Sequence, residues 1–593
     1  MTDDANPASG PAASLRRVSR NVQLILSALA VIIGMAAGLA AIGFRYVIDL
    51  VQRLGFGFGG ERVASGAAEL PWWQILVVPT AGGLAVGLFI YFLMPDRRPH
   101  AVADVIEANA LRGGRMSLTT GLKAALASAA SIGVGASVGR EGPVVHLGAS
   151  LGAWVSKRLH LTRAPSRTLL GCGVAAAVAA SFNAPIAGTF FALEVVIGHY
   201  SLTAFTPVVI ASVVGTMVSR MHYGDFPAFI LPQTISIVSF WEFPAFALLG
   251  AVSALAAIVF MRSVLFTEDV VQRTPLPPWA RPAVAGLLVG GMALVFPQVL
   301  GVGYEATDAA LSDLYPLWLL LALIAFKTAA TAISLGCGFG GGVFSPSLFI
   351  GAMVGGAYGV VATSVFPELS SGHGAYTIIG MGAVAGAVLG APISTILMVF
   401  ELTNDYAITI GIMIATSIAS IITEQVEKHS FFTWQLARRG ISVKGGRDIG
   451  RLRNICVRDV MSDDYRGIAS DAPMASVRVN LQNAPRGELF VVDDAGGLCG
   501  VITFADLHEA AFDTSHDSEM TAADVLRNRP PMLEIDDDLE TAARAYEGSG
   551  ESTIAVVESR ESRRLVGVAH EHSVVLAYHR ALDQARAEER GEL

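Results

Sequence analysis

Charge is scarce in this sequence: Asp, Glu, Lys and Arg supply 15% of its 593 residues, hydrophobic residues supply 53%, and the mean hydropathy is +0.54. A soluble core of this size does not hide so much apolar surface, so a bilayer must be part of the solvent. Cysteine is nearly absent. Cys172, Cys337, Cys456 and Cys499 stand far apart and in no metal-ligand spacing, which excludes a disulfide framework and suggests no zinc site. Basic residues are outnumbered, 41 Lys and Arg to 50 Asp and Glu, and the net charge of -9 argues against a nucleic-acid partner. Also missing are a Ser/His/Asp order, a His-Glu-x-x-His motif and a suitably spaced carboxylate pair, so no enzyme is expected.

What is present is a series of uncharged apolar runs long enough to cross ~30 Å of hydrocarbon. Residues 21–44, 72–94 and 407–422 are the clearest. The first run is too long for a signal peptide and lacks a small-residue cleavage pattern. Arg16, Arg17 and Arg20 precede it, which by the positive-inside rule predicts a cytoplasmic amino terminus. Composition changes near Arg438, Arg439 and Lys444, where Gly445 and Gly446 break any helix. The expected organisation is a cytoplasmic segment 1–20, a transmembrane domain 21–440, a linker 441–456, a soluble α/β tail 457–580 and a charged end 581–593.

Within the membrane part, two stretches run in parallel. One passes from Gly139-Arg-Glu-Gly-Pro143 through small residues to Asn183-Ala-Pro-Ile-Ala-Gly188 and Glu194; the other passes from Gly342-Val-Phe-Ser-Pro346 to Gly390-Ala-Pro-Ile-Ser394 and Glu401. Pro185 to Glu194 and Pro392 to Glu401 share one spacing. Two halves of a structural repeat explain this, and transporters place their sites where such halves meet. Gly and Pro cut several segments too short to span, and such breaks survive in lipid only where protein or a water-filled cavity satisfies the freed backbone.

An anion inside a membrane needs donors without full charges that would trap it. Helix amino termini supply free N-H groups and the positive end of the dipole, and 139–143 and 342–346 have the Gly and Pro of such starts. Glu141 lies inside the first. A carboxylate at membrane depth is a functional candidate: ionised, it can occupy the anion's own pocket, and protonated it can leave, which makes it a gate. The bland alternatives are a salt bridge to Arg140 or a plain charge at a helix start.

These motifs, with Ala179-Ala-Ser-Phe-Asn-Ala-Pro-Ile-Ala-Gly188 and the closing Ala391-Pro-Ile segment, resemble the CLC family of chloride channels and proton-coupled chloride transporters over residues 22–440. The resemblance implies a polytopic α-helical membrane protein of inverted-repeat architecture, forming a homodimer with one chloride pathway per subunit. It also implies Glu141 as the gate, with the backbones at Arg140, Gly142, Val343 and Phe344 lining the pathway. Three departures stand out. The family's usual Gly-Ser-Gly-Ile-Pro segment corresponds here to Pro99-His-Ala-Val-Ala103, which puts His100 where a serine commonly coordinates the central anion. There an imidazole donates one hydrogen bond when neutral and attracts an anion strongly when protonated; the alternative is a loop residue turned aside. Phe432 takes the place of a tyrosine that normally donates its hydroxyl, so central anion binding is expected to weaken or to pass through His100. Finally, Val195 stands where proton-coupled members carry an inner glutamate, while Glu194 and its repeat mate Glu401 read as structural.

From Val457-Arg-Asp-Val-Met461 to about Tyr578 the tail resembles a cytoplasmic pair of CBS domains. In such pairs an Asp six residues after a glycine commonly holds a nucleotide ribose, with a Thr hydroxyl nearby. Asp506 and Thr503 fit, whereas the second copy has Ser573 and His570 there, so at most one adenine-nucleotide site is expected; a purely structural module is the alternative. The leading expectation is therefore a gated passive chloride channel in a bacterial-type inner or plasma membrane, with Glu141 as gate and no resident cofactor. The rival is a proton-coupled exchanger with a different inner proton path. A fluoride-exporting relative is a further alternative, although the intact 139–143 motif speaks for chloride.

Overall fold

Uncharged apolar runs fold as helices in lipid because each backbone N-H and C=O must find its partner within the segment. The computed structural model describes residues 11–198, 202–225, 229, 237–441, 455–484, 486–507 and 520–590, and the chain divides into two units, 1–444 and 445–593. Residues 442–454, which hold most of the expected linker with Lys444, Gly445 and Gly446, lie outside the described residues, as do 1–10.

Among its described residues the first unit holds two sets of nine α-helices. The first set is α1 (Pro11–Phe56), α2 (Val63–Ala68), α3 (Trp72–Leu93), α4 (Val102–Ala110), α5 (Leu118–Gly133), α6 (Glu141–Arg158), α7 (Arg163–Phe182), α8 (Pro185–Phe191) and α9 (Leu202–Tyr223). The second is α10 (Phe243–Arg273), α11 (Arg281–Ala293), α12 (Tyr304–Leu311), α13 (Leu317–Gly336), α14 (Phe344–Val365), α15 (His373–Leu389), α16 (Pro392–Thr403), α17 (Tyr406–Glu427) and α18 (Phe431–Arg438). Seven helical segments among them are long and apolar enough to cross a membrane. Helix α1 extends beyond the apolar run at both ends. It begins inside the segment expected to precede it and runs past Phe44 to Phe56, because Arg45, Asp49 and Arg53 end the apolar run without ending the helix; Arg53 pairs with Asp49 one turn away at 2.8 Å.

Every expected break is a helix boundary. After α7 and α15 the chain turns through left-handed residues, Asn183 and Gly390 (φ 60° and 63°), and restarts on Pro185 and Pro392, where a proline loses nothing by lacking an N-H. The next N-H groups need acceptors. Glu194 accepts from the N-H groups of Ile393 (3.1 Å) and Ser394 (2.8 Å) and from the Ser394 hydroxyl, while Glu401 accepts from Ile186 (2.9 Å) and Ala187 (2.7 Å). Each half thus caps a helix of the other. The halves also exchange backbone bonds at their motifs: Gly139 donates to the Gly342 carbonyl at 2.7 Å and Gly342 returns one to Gly139 at 2.8 Å. Reciprocal pairs of this kind are what a local two-fold axis between inverted repeats requires. Helix crossings repeat as well, with Gly148 against Gly173 between α6 and α7 and Gly351 against Gly380 between α14 and α15. An added Cβ at any of these four would come within 2.0 to 2.6 Å of a backbone oxygen across the crossing, the close approach that small residues permit in lipid.

The second unit contains a four-stranded sheet of β1 (Gly467–Ala469), β2 (Glu488–Val492), β3 (Leu498–Thr503) and β4 (Arg527–Asn528), and a three-stranded sheet of β5 (Met532–Glu534), β6 (Thr553–Val557) and β7 (Leu565–His570). In both, a parallel pair is followed by an antiparallel one with a bulge at the same place, after Val491 and after Val556. Helices α19 (Met474–Gln482), α20 (Leu539–Ser549) and α21 (Glu571–Arg590) complete the described α/β pair. The modules are not consecutive blocks. Val457 is buried in the core formed by Leu533, Leu539 and Ile554 of the second module, and Ala522 in that formed by Ile468, Leu489 and Ile502 of the first. Helix α21 continues through Arg580 to Arg590, so it carries most of the charged end.

Candidate anion pathway

Three helix starts and the last membrane helix meet at one small cavity. Its walls are Ala101 and Val102 from α4, Glu141, Gly142 and Val145 from α6, Gly342, Val343 and Phe344 at α14, Phe191 at the end of α8, and Phe431, Phe432 and Gln435 from α18; its volume is about 30 Å³. A cavity needs ~10–15 Å³ of such space to hold a water molecule, so this one has room for a small ion and little more. Neither α6 nor α14 has a side-chain cap at its start, which leaves first-turn N-H groups available to an anion. Phe344 is wedged between Phe182 and Phe191, with ring centres 5.0 and 5.8 Å apart, so these walls are firm.

Of the residues singled out in the sequence, Glu141, Gly142, Val343, Phe344 and Phe432 come together here. Glu141 is 1% exposed. Its carboxylate accepts from the Tyr304 hydroxyl at 2.6 Å and the Ser345 hydroxyl at 2.5 Å, with Arg140 Nε 3.7 Å away. Arg140 is the residue before α6, and its side chain turns to Glu61, donating at 2.7 Å, and lies 4.5 Å over the Tyr304 ring. Burial works against ionisation of Glu61, but the guanidinium groups of Arg140 and Arg45 outweigh it and hold that carboxyl down at about 2. The bland alternative of an Arg140–Glu141 salt bridge is therefore a minor contact, since the arginine is engaged elsewhere.

His100 is elsewhere. It lines a separate cavity of about 160 Å³ with Asp104, Arg112 and His146, lies 3.4 Å from Asp96 and 3.8 Å from Asp104, and stacks edge-on to His146. Burial pushes its imidazole pKa down. At the anion cavity the same segment presents Ala101 and Val102, so it brings neither hydroxyl nor imidazole. Val195 is half-buried in the π-helical turn Ala192–Ile197, packed against the core rather than the cavity. A wider polar cavity of about 260 Å³ adjoins the small one, sharing Ala101, Gly341 and Gln435. Arg97, Arg98, Arg281 and Arg439 line it beside Asp104 and Glu268. Four arginines against two carboxylates give this cavity a net-positive lining, of the kind that raises the local concentration of anions.

In the tail, Thr503 and Asp506 are neighbours: the threonine N-H and hydroxyl both donate to Asp506 Oδ2, at 2.8 and 2.7 Å. Thr521 and Asp524 make the same pair at 2.7 and 2.9 Å, so the arrangement is also a way of starting a helical turn. Tyr304 and Ser345 were missed in the sequence. Ser345 sits within the 342–346 motif, whereas Tyr304 follows a Gly-Val-Gly, 301–303, that recurs at 133–135 with no tyrosine after it.

The family model described as voltage gated chloride channel matches residues 82–424, and the one described as CBS domain matches 457–513. The voltage-gated ClC-type chloride channel ClcB of Escherichia coli is 30% identical over 419 residues, 69% of this chain and 98% of that protein. Among solved structures, a slow cyanobacterial Cl-/H+ antiporter has a TM-score of 0.63 at 22% identity, covering 70% of this chain and 97% of its own. A eukaryotic CLC transporter has a TM-score of 0.62 at 18% identity, covering 94% and 98%. These matches run through the helix starts and the cavity just described, and the chain belongs to the CLC family of voltage-gated chloride channels and transporters, as a multi-pass membrane protein with a carboxy-terminal pair of CBS domains.

Proposed function

We propose that this protein exchanges chloride for protons, with Glu141 serving both ions. The observation that carries the reading is that the one carboxylate at the anion cavity closes a space sized for a single small body. A carboxylate that competes with the anion when ionised and yields when protonated couples the two movements. The antiporter that shares this fold is consistent with that reading. Passive gated conduction is the second reading, favoured by Val195, which carries no proton, and by the channel name of the Escherichia coli relative.

The reversal potential of the reconstituted protein separates the two. Across a fixed chloride gradient, an added pH gradient should displace it from the chloride equilibrium value; a potential that ignores the pH gradient leaves only the channel. Glu141→Gln should give chloride flux that no longer depends on pH and moves no protons. Retained pH dependence would remove Glu141 from its role.

The assembly is proposed to be a homodimer with both termini cytoplasmic, testable by cross-linking and by labelling from either side. An adenine nucleotide at Thr503 and Asp506 is a further proposal. Calorimetric heat on adding ATP that persists after Asp506→Ala would refute it.

A further inference from the structure

Neither of the two donors nearest the gate was singled out in the sequence, although Ser345 lies within the 342–346 motif. Tyr304 donates to Glu141 Oε1 at 2.6 Å, Ser345 donates to Oε2 at 2.5 Å, and the two hydroxyls lie 3.5 Å apart. The carboxylate therefore rests in a cradle of side-chain hydroxyls at the wall of the cavity. That cradle is braced from behind. Tyr304 opens α12 immediately after Gly301-Val-Gly303, and Lys327 of α13, which has no exposed surface, donates to the carbonyls of Val299 at 3.1 Å and Gly301 at 2.9 Å. Gly303 has φ +95°, and a Cβ there would meet Phe349 at 2.6 Å and Lys327 Nζ at 3.3 Å. The tyrosine ring is held between the Arg140 guanidinium at 4.5 Å and Phe229 at 4.9 Å.

A lysine buried in an apolar helix is costly and calls for a reason. Among the described residues its hydrogen bonds go to the loop that leads into Tyr304. We propose that Tyr304 is a latch that retains Glu141 in the closed position, and that Lys327 is the positioning residue that sets the latch. This rests on Glu141 being the gate. The other charged groups facing it are Arg140, at 3.7 Å, and behind that Glu61 with Arg45; all three are kept in every variant below.

The test is chloride efflux against pH from liposomes holding the full chain. Tyr304→Phe keeps the ring between Arg140 and Phe229 but removes the donor, so the gate should release more readily. The pH of half-maximal flux should rise by about one unit and flux at neutral pH by roughly tenfold, the scale of one lost charge-assisted hydrogen bond. Lys327→Met should shift the profile in the same direction, and combining it with Tyr304→Phe should add nothing, since both act through one hydroxyl. Glu141→Gln should erase both shifts. A Tyr304→Phe profile that superimposes on the parent overturns the latch. Additive shifts, or a Lys327→Met protein with lower flux at every pH and an unmoved profile, overturn the positioning role. Should Lys327→Met fail to accumulate, Gly303→Ala disturbs the same loop and carries the same expectation. Proton movement is recorded in the same vesicles: its absence counts against exchange but leaves the pH profile, and so the latch, readable.

Discussion

Ala101, rather than the histidine before it, is what the segment ahead of α4 presents to the small cavity. Successive residues of an extended segment point to opposite sides. Aligning the loop before α4 therefore leaves the choice between His100 and Ala101 open, and the acidic partners Asp96 and Asp104 draw the imidazole outward. Ala101→Ser should add a hydroxyl at the cavity wall and tighten chloride binding by about fivefold, near the usual worth of one hydrogen bond. His100→Gln should leave that affinity where it is. Isothermal titration of the purified protein with chloride measures both, and the reverse ranking would restore His100 to the pathway. Glu141 was legible because a charge in lipid advertises itself. Tyr304 was not, because an aromatic residue carries no such signal and its partner is distant in sequence.

At the scale of helices, the recurrence of Ala-Pro-Ile disclosed the repeat, yet the recurring glutamates looked merely equivalent. Folded, they are exchanged: Glu194 serves α16 and Glu401 serves α8. Periodicity within one segment holds no information about which other segment will need an acceptor. Glu194→Gln and Glu401→Gln should each destabilise the membrane unit by about 1–2 kcal/mol, the cost of a lost helix cap, measured by unfolding in detergent. A loss confined to one of them would contradict their equivalence. The over-length of α1 was hidden for a different reason. Charged residues mark the end of lipid contact, and Arg45, Asp49 and Arg53 pass that limit while staying helical.

For the molecule as a whole, the class of each unit was legible from composition, and the way the tail closes on itself was not. The second CBS module takes Val457 from ahead of the first, and the first takes Ala522 from the connection between them. Residues 455–590 should therefore unfold in one cooperative transition when expressed together. Fragments ending at 507 or starting at 530 should lack that transition, as circular dichroism would show. An independently folding fragment would mean that the swapped segments are ornamental.

The exchange of Glu194 and Glu401 has an implication for descent. A solitary ancestral half would have presented both a bare helix start and a carboxylate lacking its acceptor's complement, so neither could settle in lipid unaided. Two copies lying in opposite senses would have answered each other's need at once. The smallest unit that settles in lipid is thus expected to be the pair rather than the single repeat.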